Sequence, residues 1–481
     1  MKKMEKIKNI LIFSILFTGV FLAAYWNTNQ AQALIIPPQF SNLLSDSANY
    51  ISQMGTPVKP AEGVTLGPVA PWGTSIIHIQ QPQASDCGGG ASCSTLNLVP
   101  DYSKMQAWNS DGSRLLLIAG NGFWHLYNGN TYTWIKRLVS PALRYDGQDL
   151  EIRWSHTNPD VFYYVSGMAL YSYSISMDIS TVAHTFSCVG AGYTCANIHN
   201  GDEGNQSEDD RYWVFYAQTG SPDWKAKEII VYDKQTEAII TQKELTNSNL
   251  CISSGPGACP STPNWVGMSP SGNYVIIQWN LAYSFDSQYI RGSGTELFDR
   301  LLNYQGMLAS NYYHGDVGYD INGAEVYVSP WNFLLSADNK RMKWRKLSDL
   351  SEGYVELPLM PSYHVSLRNM LGSARGWALM STYSSISTVP SGWGQLELFF
   401  VPIDTTQAIS ASGWRRVGWT YSIRNNNYAA EPHATPNRDA TKILWGSNWL
   451  INGGQVQPYV TELSTTSDTT PPAAPTGLVV N

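Results

Sequence analysis

The sequence predicts an all-β fold, a seven-bladed β-propeller of four-stranded antiparallel blades. Three observations point to it. Short runs of β-branched, aromatic and aliphatic residues recur at 115–119, 161–165, 212–217, 274–279, 325–329, 377–381 and 442–447. Each run follows a polar or acidic approach segment and a tight Asn/Asp/Ser/Gly turn, with a spacing of about 45 to 65 residues, the length of one four-stranded blade. The composition suits half-buried sheet: 14% of residues are charged, while 18 Trp and 28 Tyr supply large flat surfaces. Helical periodicity is absent.

Taken in order, residues 1–33 read as a signal peptide. Lys2, Lys3, Lys6 and Lys8 make a positive start, residues 10–24 are apolar, and Ala31, Gln32 and Ala33 form a small-x-small cleavage site. An uncleaved anchor is the alternative. No other stretch is long and apolar enough to span a bilayer, so the mature protein is expected to act as a soluble monomer, secreted or at the cell surface or periplasm.

Residues 34–70, rich in Pro, Ser and Gly, form a lead-in that either lies over the propeller or stays mobile. The propeller is expected over 71–463. Residues 456–463 read as a late strand of the seventh blade, and 75–80 could complete that blade. A count of six or eight blades follows if the lead-in hides a further strand pair. Residues 464–481 begin as a Ser/Thr/Pro linker, and TTPPAAPTGLVV resembles the linker and opening strand of a fibronectin type III module.

Six cysteines fall in close pairs, Cys87 with Cys93, Cys188 with Cys195 and Cys251 with Cys259, inside small-residue loops. Local disulfides are the natural reading for an exported chain, although sequence alone leaves fifteen pairings open. Zinc binding fits poorly, because the pairs lack CxxC spacing and neighbouring His residues. A net charge of −7 with no basic run beyond the leader argues against nucleic acid as a partner.

Aligning the blades on the residue that opens each turn gives Asn109, Ser155, Ser207, Ser269, Asp320, Ser366 and Thr435 as the zero position. Four residues earlier stand the carboxylates Glu151, Glu203, Asp316 and Glu431; two earlier stand Arg153, His364 and His433. On an innermost strand, side chains two apart share a face, so these groups are expected to gather around the central channel. His314 precedes Asp316 by two, and Arg368 follows His364 closely.

Taken singly, each of these groups could be an ordinary buried hydrogen-bond partner. As a set they support chemistry. His314, His364, His433, Asp316 and Glu431 could hold a divalent ion, with three His favouring Mn or Zn over Ca. His433 or His364 could act as general base near neutral pH, and Arg368 or Arg153 could clamp a carboxylate in bidentate geometry. Glu151 and Glu203 complete the channel carboxylates and leave an acid pair for glycoside hydrolysis open. Trp154, Trp265, Trp377, Trp445 and Trp449 could stack on sugar, but they lie in the repeat's own strands, where core packing is the simpler account. Gly-x-Ser-x-Gly, His-Glu-x-x-His and phosphate-loop signatures are missing.

Single His residues on successive blades of a secreted seven-bladed propeller are similar to the arrangement in oligogalacturonate lyases and other propeller-fold polysaccharide lyases. The resemblance is one of architecture and His placement, and no longer His-containing motif accompanies it. It implies metal-assisted β-elimination on an acidic polysaccharide. The segments HGDVGYDINGAEVYV, GWALMSTY and EPHATPNRDATKILWGSNW resemble those of secreted bacterial propellers and speak to fold alone. The competing reading is a non-catalytic scaffold that presents one face to a surface glycan or protein, since propellers host many functions.

Overall fold

Side chains one residue apart on a strand point to opposite faces, and in this chain the two faces serve two different neighbours. Leu115 and Leu117 pack with Leu444 and Val460, whereas Leu116 between them packs with Phe162 and Tyr164. Ile229 and Val231 meet Val275 and Ile277 on one side, while Ile230 meets Tyr163 and Val165 on the other. Continuous apolar runs therefore mark sheets sandwiched between sheets, and the core is divided into clusters at blade boundaries.

The computed structural model describes residues 34–463 except 55–57, 88–94, 139–150, 202, 246–249, 251–261, 281–291, 311–313, 331–340, 357–362, 385–392 and 408–412. It divides into Met1–Ile36, of which 34–36 are irregular, and the body Pro37–Asn481. The expected signal peptide and fibronectin-like tail lie outside the described residues.

Seven antiparallel sheets make the ring. The first blade comprises Leu98–Val99, Arg114–Ala119, Trp124–Asn128 and Trp134–Arg137, innermost strand first. The second runs Arg153–Trp154, Val161–Ser166, Ala169–Ser174 and Ile179–Thr185, and the third Cys195–His199, Tyr212–Thr219, Ala226–Asp233 and Ala238–Glu244. Pro263–Met268, Tyr274–Trp279, Thr295–Asp299 and Tyr304–Ala309 form the fourth; Asp316–Tyr319, Glu325–Pro330, Arg341–Lys346 and Glu352–Glu356 form the fifth. The sixth holds Tyr363–Ser366, Trp377–Thr382, Glu397–Pro402 and Arg415–Trp419. The outermost strand of blade two, Ile179–Thr185, is largely exposed, while that of blade six, Arg415–Trp419, is buried throughout.

Blade seven closes the ring with both ends of the propeller. Thr435–Pro436, Lys442–Ser447 and Gln457–Glu462 come from the C-terminal side, Thr74–His78 pairs onto Gln457–Glu462, and Thr65–Val69 adds a fifth strand. Part of the lead-in is laid against blade six. Phe40 stacks on Phe400 with ring centroids 4.4 Å apart, Leu44 bridges to Arg416, and Arg416 reaches both Glu397 (2.7 Å) and Asp46 (3.0 Å).

In blades one, three, four and five the turn is closed by the side chain that opens it, whereas in blade six the side chain of the expected opener Ser366 has no hydrogen-bond partner and Asn369 instead donates to the Trp377 carbonyl (2.9 Å). Asn109 Oδ1 accepts from the Arg114 amide (2.9 Å), Ser207 Oγ from Tyr212 (2.9 Å), Ser269 Oγ from Tyr274 (3.2 Å) and Asp320 Oδ1 from Ala324 (2.7 Å). In blade seven this role belongs to Asn437, which accepts from Lys442 (2.9 Å), and the expected opener Thr435 stands two residues too early. Glycine is required at Gly204, where an added Cβ would collide with the carbonyl oxygen of Val266 on the neighbouring blade.

Cys188 and Cys195 form a disulfide with Cα atoms 5.9 Å apart. Glu228 orders the loop they close, accepting from the amides of Val189 (3.0 Å) and Gly190 (2.9 Å) and from the Tyr193 hydroxyl (2.5 Å). Cys87 is also disulfide-bonded; Cys93, Cys251 and Cys259 lie outside the described residues.

Candidate metal centre in the central channel

The shift of the blade-seven turn changes which groups share a level. Counted from Asn437, His433 rather than Glu431 stands four residues before the turn, level with Glu151, Glu203 and Asp316. Glu431 moves up beside His314, six residues before its own turn. Strand pairing places His364 at the level of Asp316: Asp316 faces Val328, four residues on from Ala324, and His364 faces Ser381, four on from Trp377. Two levels of one mouth are thereby populated, and groups from blades five, six and seven converge.

His314, His364 and Glu431 each bring one ligand atom within 4.8 Å of the others. His364 Nε2 lies 2.8 Å from Glu431 Oε2, and the rings of His314 and His364 are 4.2 Å apart. His433 borders the group, its Nε2 3.7 Å from Glu431 Oε2 and its ring 4.5 Å from that of His364. His433 holds a φ of 44°, a costly state for a side-chain-bearing residue that persists when its surroundings impose it. His364 Nδ1 and His433 Nε2 are buried without hydrogen-bond partners. Buried imidazole nitrogens without partners are uncommon in a folded protein.

The protonation states suit a cation. Burial, reinforced by the positive charge of Lys104, drives the His314 imidazolium pKa down to about 4. Burial and the two neighbouring imidazoles push His364 well below its ordinary value as well. For Glu431, burial alone would raise the pKa; the hydrogen bond from His364 and the charges of His364 and His433 outweigh it and hold the carboxyl well below the usual range. Neutral imidazoles beside an ionised carboxylate are the donor set a divalent ion takes without expelling protons.

The remaining expected site residues are committed elsewhere. Asp316 accepts from Arg368 (2.9 and 3.2 Å) and from the amides of Val317 (2.8 Å) and Leu367 (2.7 Å). Arg368 is thus turned to Asp316 and away from the imidazoles. Arg153 donates to the carbonyls of Gly204 (2.6 Å) and Ile152 (3.1 Å). Glu151 accepts from the Gly201 amide (2.8 Å) and lies 3.4 Å from His199 Nδ1. Burial would raise its pKa, but His199, Arg153 and the Asn200 amide hold it lower. Glu203 pairs with the buried Lys104 ammonium. Each of these carboxylates therefore has a cationic or imidazole partner. The five candidate stacking tryptophans are all buried.

Four participants carried no mark in the blade alignment. Tyr102 and Lys104 belong to the approach segment of blade one, which reaches across the channel. Asn205 donates to the Lys104 carbonyl (3.0 Å), Thr435 to that of Met105 (2.8 Å), and Gln106 donates to Arg368 (3.2 Å) and Pro436 (3.1 Å) carbonyls. Their alternation, Tyr102, Lys104, Gln106, is the only sequence signal. Arg424 and Tyr428 come from the rim loop between blades six and seven. Arg424 Nε lies 2.7 Å from Glu431 Oε1 while its side chain is 40% exposed; the contact is an ion pair without hydrogen-bond alignment. Tyr428 is 54% exposed, with its ring 5.0 Å from His433. Asn448 clamps the loop at the Ile423 amide (3.1 Å) and carbonyl (2.7 Å).

No protein-family model matches the sequence, and comparison with curated proteins finds no match. Among solved structures, an oligogalacturonate lyase in complex with manganese superposes with a TM-score of 0.53 at 14% identity, covering 84% of this chain and 98% of that one. A second oligogalacturonate lyase, from Vibrio parahaemolyticus, gives 0.51 at 12% identity and covers 84% and 99%. The chain shares the oligogalacturonate lyase fold. At these identities the likeness speaks to the seven-bladed ring.

Proposed function

We propose that the protein is a secreted polysaccharide-processing propeller that holds a divalent cation, manganese or zinc, through His314, His364 and Glu431 and cleaves an acidic polysaccharide by β-elimination. One observation carries the reading: three ligand atoms within 4.8 Å beside buried, partnerless imidazole nitrogens. The fold shared with a lyase that binds manganese supports it. So do a disulfide and, among the described residues, the lack of any helix long and apolar enough to cross a membrane.

A bound cation supplies positive charge where an enolate develops beside a uronate carboxyl group. The chain's own residues divide the rest. His433 lies outside the ligand trio, and its partnerless Nε2 is the base that removes the proton next to the carboxyl group. Loss of the glycosidic oxygen from the adjacent carbon then completes the elimination. The clamp expected of Arg368 or Arg153 falls to Arg424, the half-exposed cation at the mouth. Tyr428 offers an exposed ring for a sugar face.

Elemental analysis of the purified protein, together with uronate-polymer turnover followed by new ultraviolet absorbance, tests this reading. Stoichiometric Mn or Zn in the wild type and in His433→Ala, lost in His364→Ala, with turnover absent from both variants, is expected. A metal-free wild type, or full turnover in His433→Ala, would leave a binding scaffold as the better account.

A further inference from the structure

Tyr102 stands inside the imidazole cage. It is 5% exposed, with its ring 4.7 Å from His433, 5.4 Å from His364 and 6.3 Å from His314. Its phenol oxygen lies 2.6 Å from His314 Nδ1, and it is hydrogen-bonded in turn to Tyr428. With Nδ1 occupied, Nε2 is the nitrogen His314 can offer to a ligand.

The segment bearing Tyr102 is tied down on several sides. Lys104, two residues on, is buried with its ammonium on Glu203, 4.6 Å above the Trp265 ring and 5.7 Å from the Tyr102 ring. Asn205 and Thr435 hold the backbone carbonyls of Lys104 and Met105 to blades three and seven, and the Gln106 side chain ties the segment to blades six and seven. Tyr102 therefore has little freedom to follow His314; His314 must follow Tyr102.

We propose that Tyr102 is the positioning residue of the metal centre: by taking the Nδ1 hydrogen of His314 on its phenol oxygen and passing its own hydrogen to Tyr428, it fixes the tautomer and ring orientation that present Nε2 to the cation. The inference rests on the metal-binding reading above. A hydrogen bond to the second nitrogen of a ligating imidazole is the usual means of fixing its tautomer, and its loss costs roughly 10–100-fold in affinity. The expected tautomer differs from that of a histidine facing water, where either nitrogen carries the hydrogen.

Tyr102→Phe keeps the ring and deletes the oxygen. Titration of Zn²⁺ and of Mn²⁺ alone into metal-free wild type and variant should show roughly 10–100-fold weaker binding in the variant, with the metal-free melting temperature nearly unchanged. Equal affinities would overturn the inference. Imidazole nitrogen NMR of the metal-free wild type gives an independent arm. A single His314 tautomer with Nδ1 in a hydrogen bond, lost in Tyr102→Phe, supports the role. A His314 that samples both tautomers in the wild type overturns it. A wild type that binds neither ion refutes the metal-binding reading and this inference together, whereas equal binding in both proteins refutes Tyr102 alone.

Discussion

His364 and Glu431 meet at 2.8 Å, joining the innermost strand of blade six to the segment that opens blade seven, and both are buried. Glu431 thus holds one nitrogen of His364, while the other, Nδ1, is buried without a hydrogen-bond partner.

Glu431→Gln should abolish that assembly without changing its shape. In the wild type, Zn²⁺ or Mn²⁺ at a hundred times its dissociation constant is expected to stabilise the fold by about 2.7 kcal/mol. The variant should gain almost nothing. Denaturant unfolding with and without the ion measures both, and an equal gain in the variant would remove Glu431 from the ligand set.

Arg368 and Arg424 should separate cleanly. Arg368→Met leaves Asp316 buried without its partner, a loss of about 3–5 kcal/mol, visible as a lower denaturation midpoint. Arg424→Gln touches a half-exposed side chain, so the melting temperature should barely move while KM for an acidic oligosaccharide rises roughly tenfold, about one good charge-assisted contact. A KM effect confined to Arg368→Met would return the clamp to that residue.

Acid should destabilise the protein through His125. This fully buried imidazole accepts from Trp134 Nε1 at 3.2 Å, and burial, aided by Arg137, lowers its pKa from 6.5 to about 4. The unfolded chain binds a proton below about pH 6.5 and the folded protein only near pH 4, so its contribution is complete at neutral pH and is lost as pH falls through that window. Between pH 7 and pH 5 the loss is about 2 kcal/mol. His125→Gln, which does not titrate, should flatten the pH dependence of the urea midpoint; an unchanged slope would show that other groups govern it.

Ring closure depends on a strand on the outer side of blade seven. A chain beginning after residue 78 lacks Thr74–His78 and leaves the edge of Gln457–Glu462 unpaired, so it should lose cooperative unfolding and associate through that edge. Size-exclusion chromatography and thermal melts decide: a monomer with a wild-type midpoint would show that the closing strand is dispensable.

The sequence by itself determined the ring. Strand character is local, written in runs such as 274–279 and in turn residues such as Ser269, and a radial repeat needs nothing beyond the neighbouring blade to complete each core. His314, His364 and Glu431 were among the five residues expected around one ion, but the blade alignment put Glu431 at the level of Asp316 rather than that of His314. Even the error in blade seven had a visible remedy: Asn437 to Lys442 repeats the spacing and side-chain chemistry of Asn109 to Arg114, with Asp439 and Asp111 each accepting the amide two residues on. Only the tertiary structure decided which charges are free. Arg368 and Asp316 neutralise each other, Lys104 takes Glu203, and Tyr102 and Arg424 arrive at the centre from a segment and a loop outside the repeat. A buried charge is satisfied by whatever opposite charge comes within a few ångströms, and that proximity is a property of the closed ring rather than of any one blade.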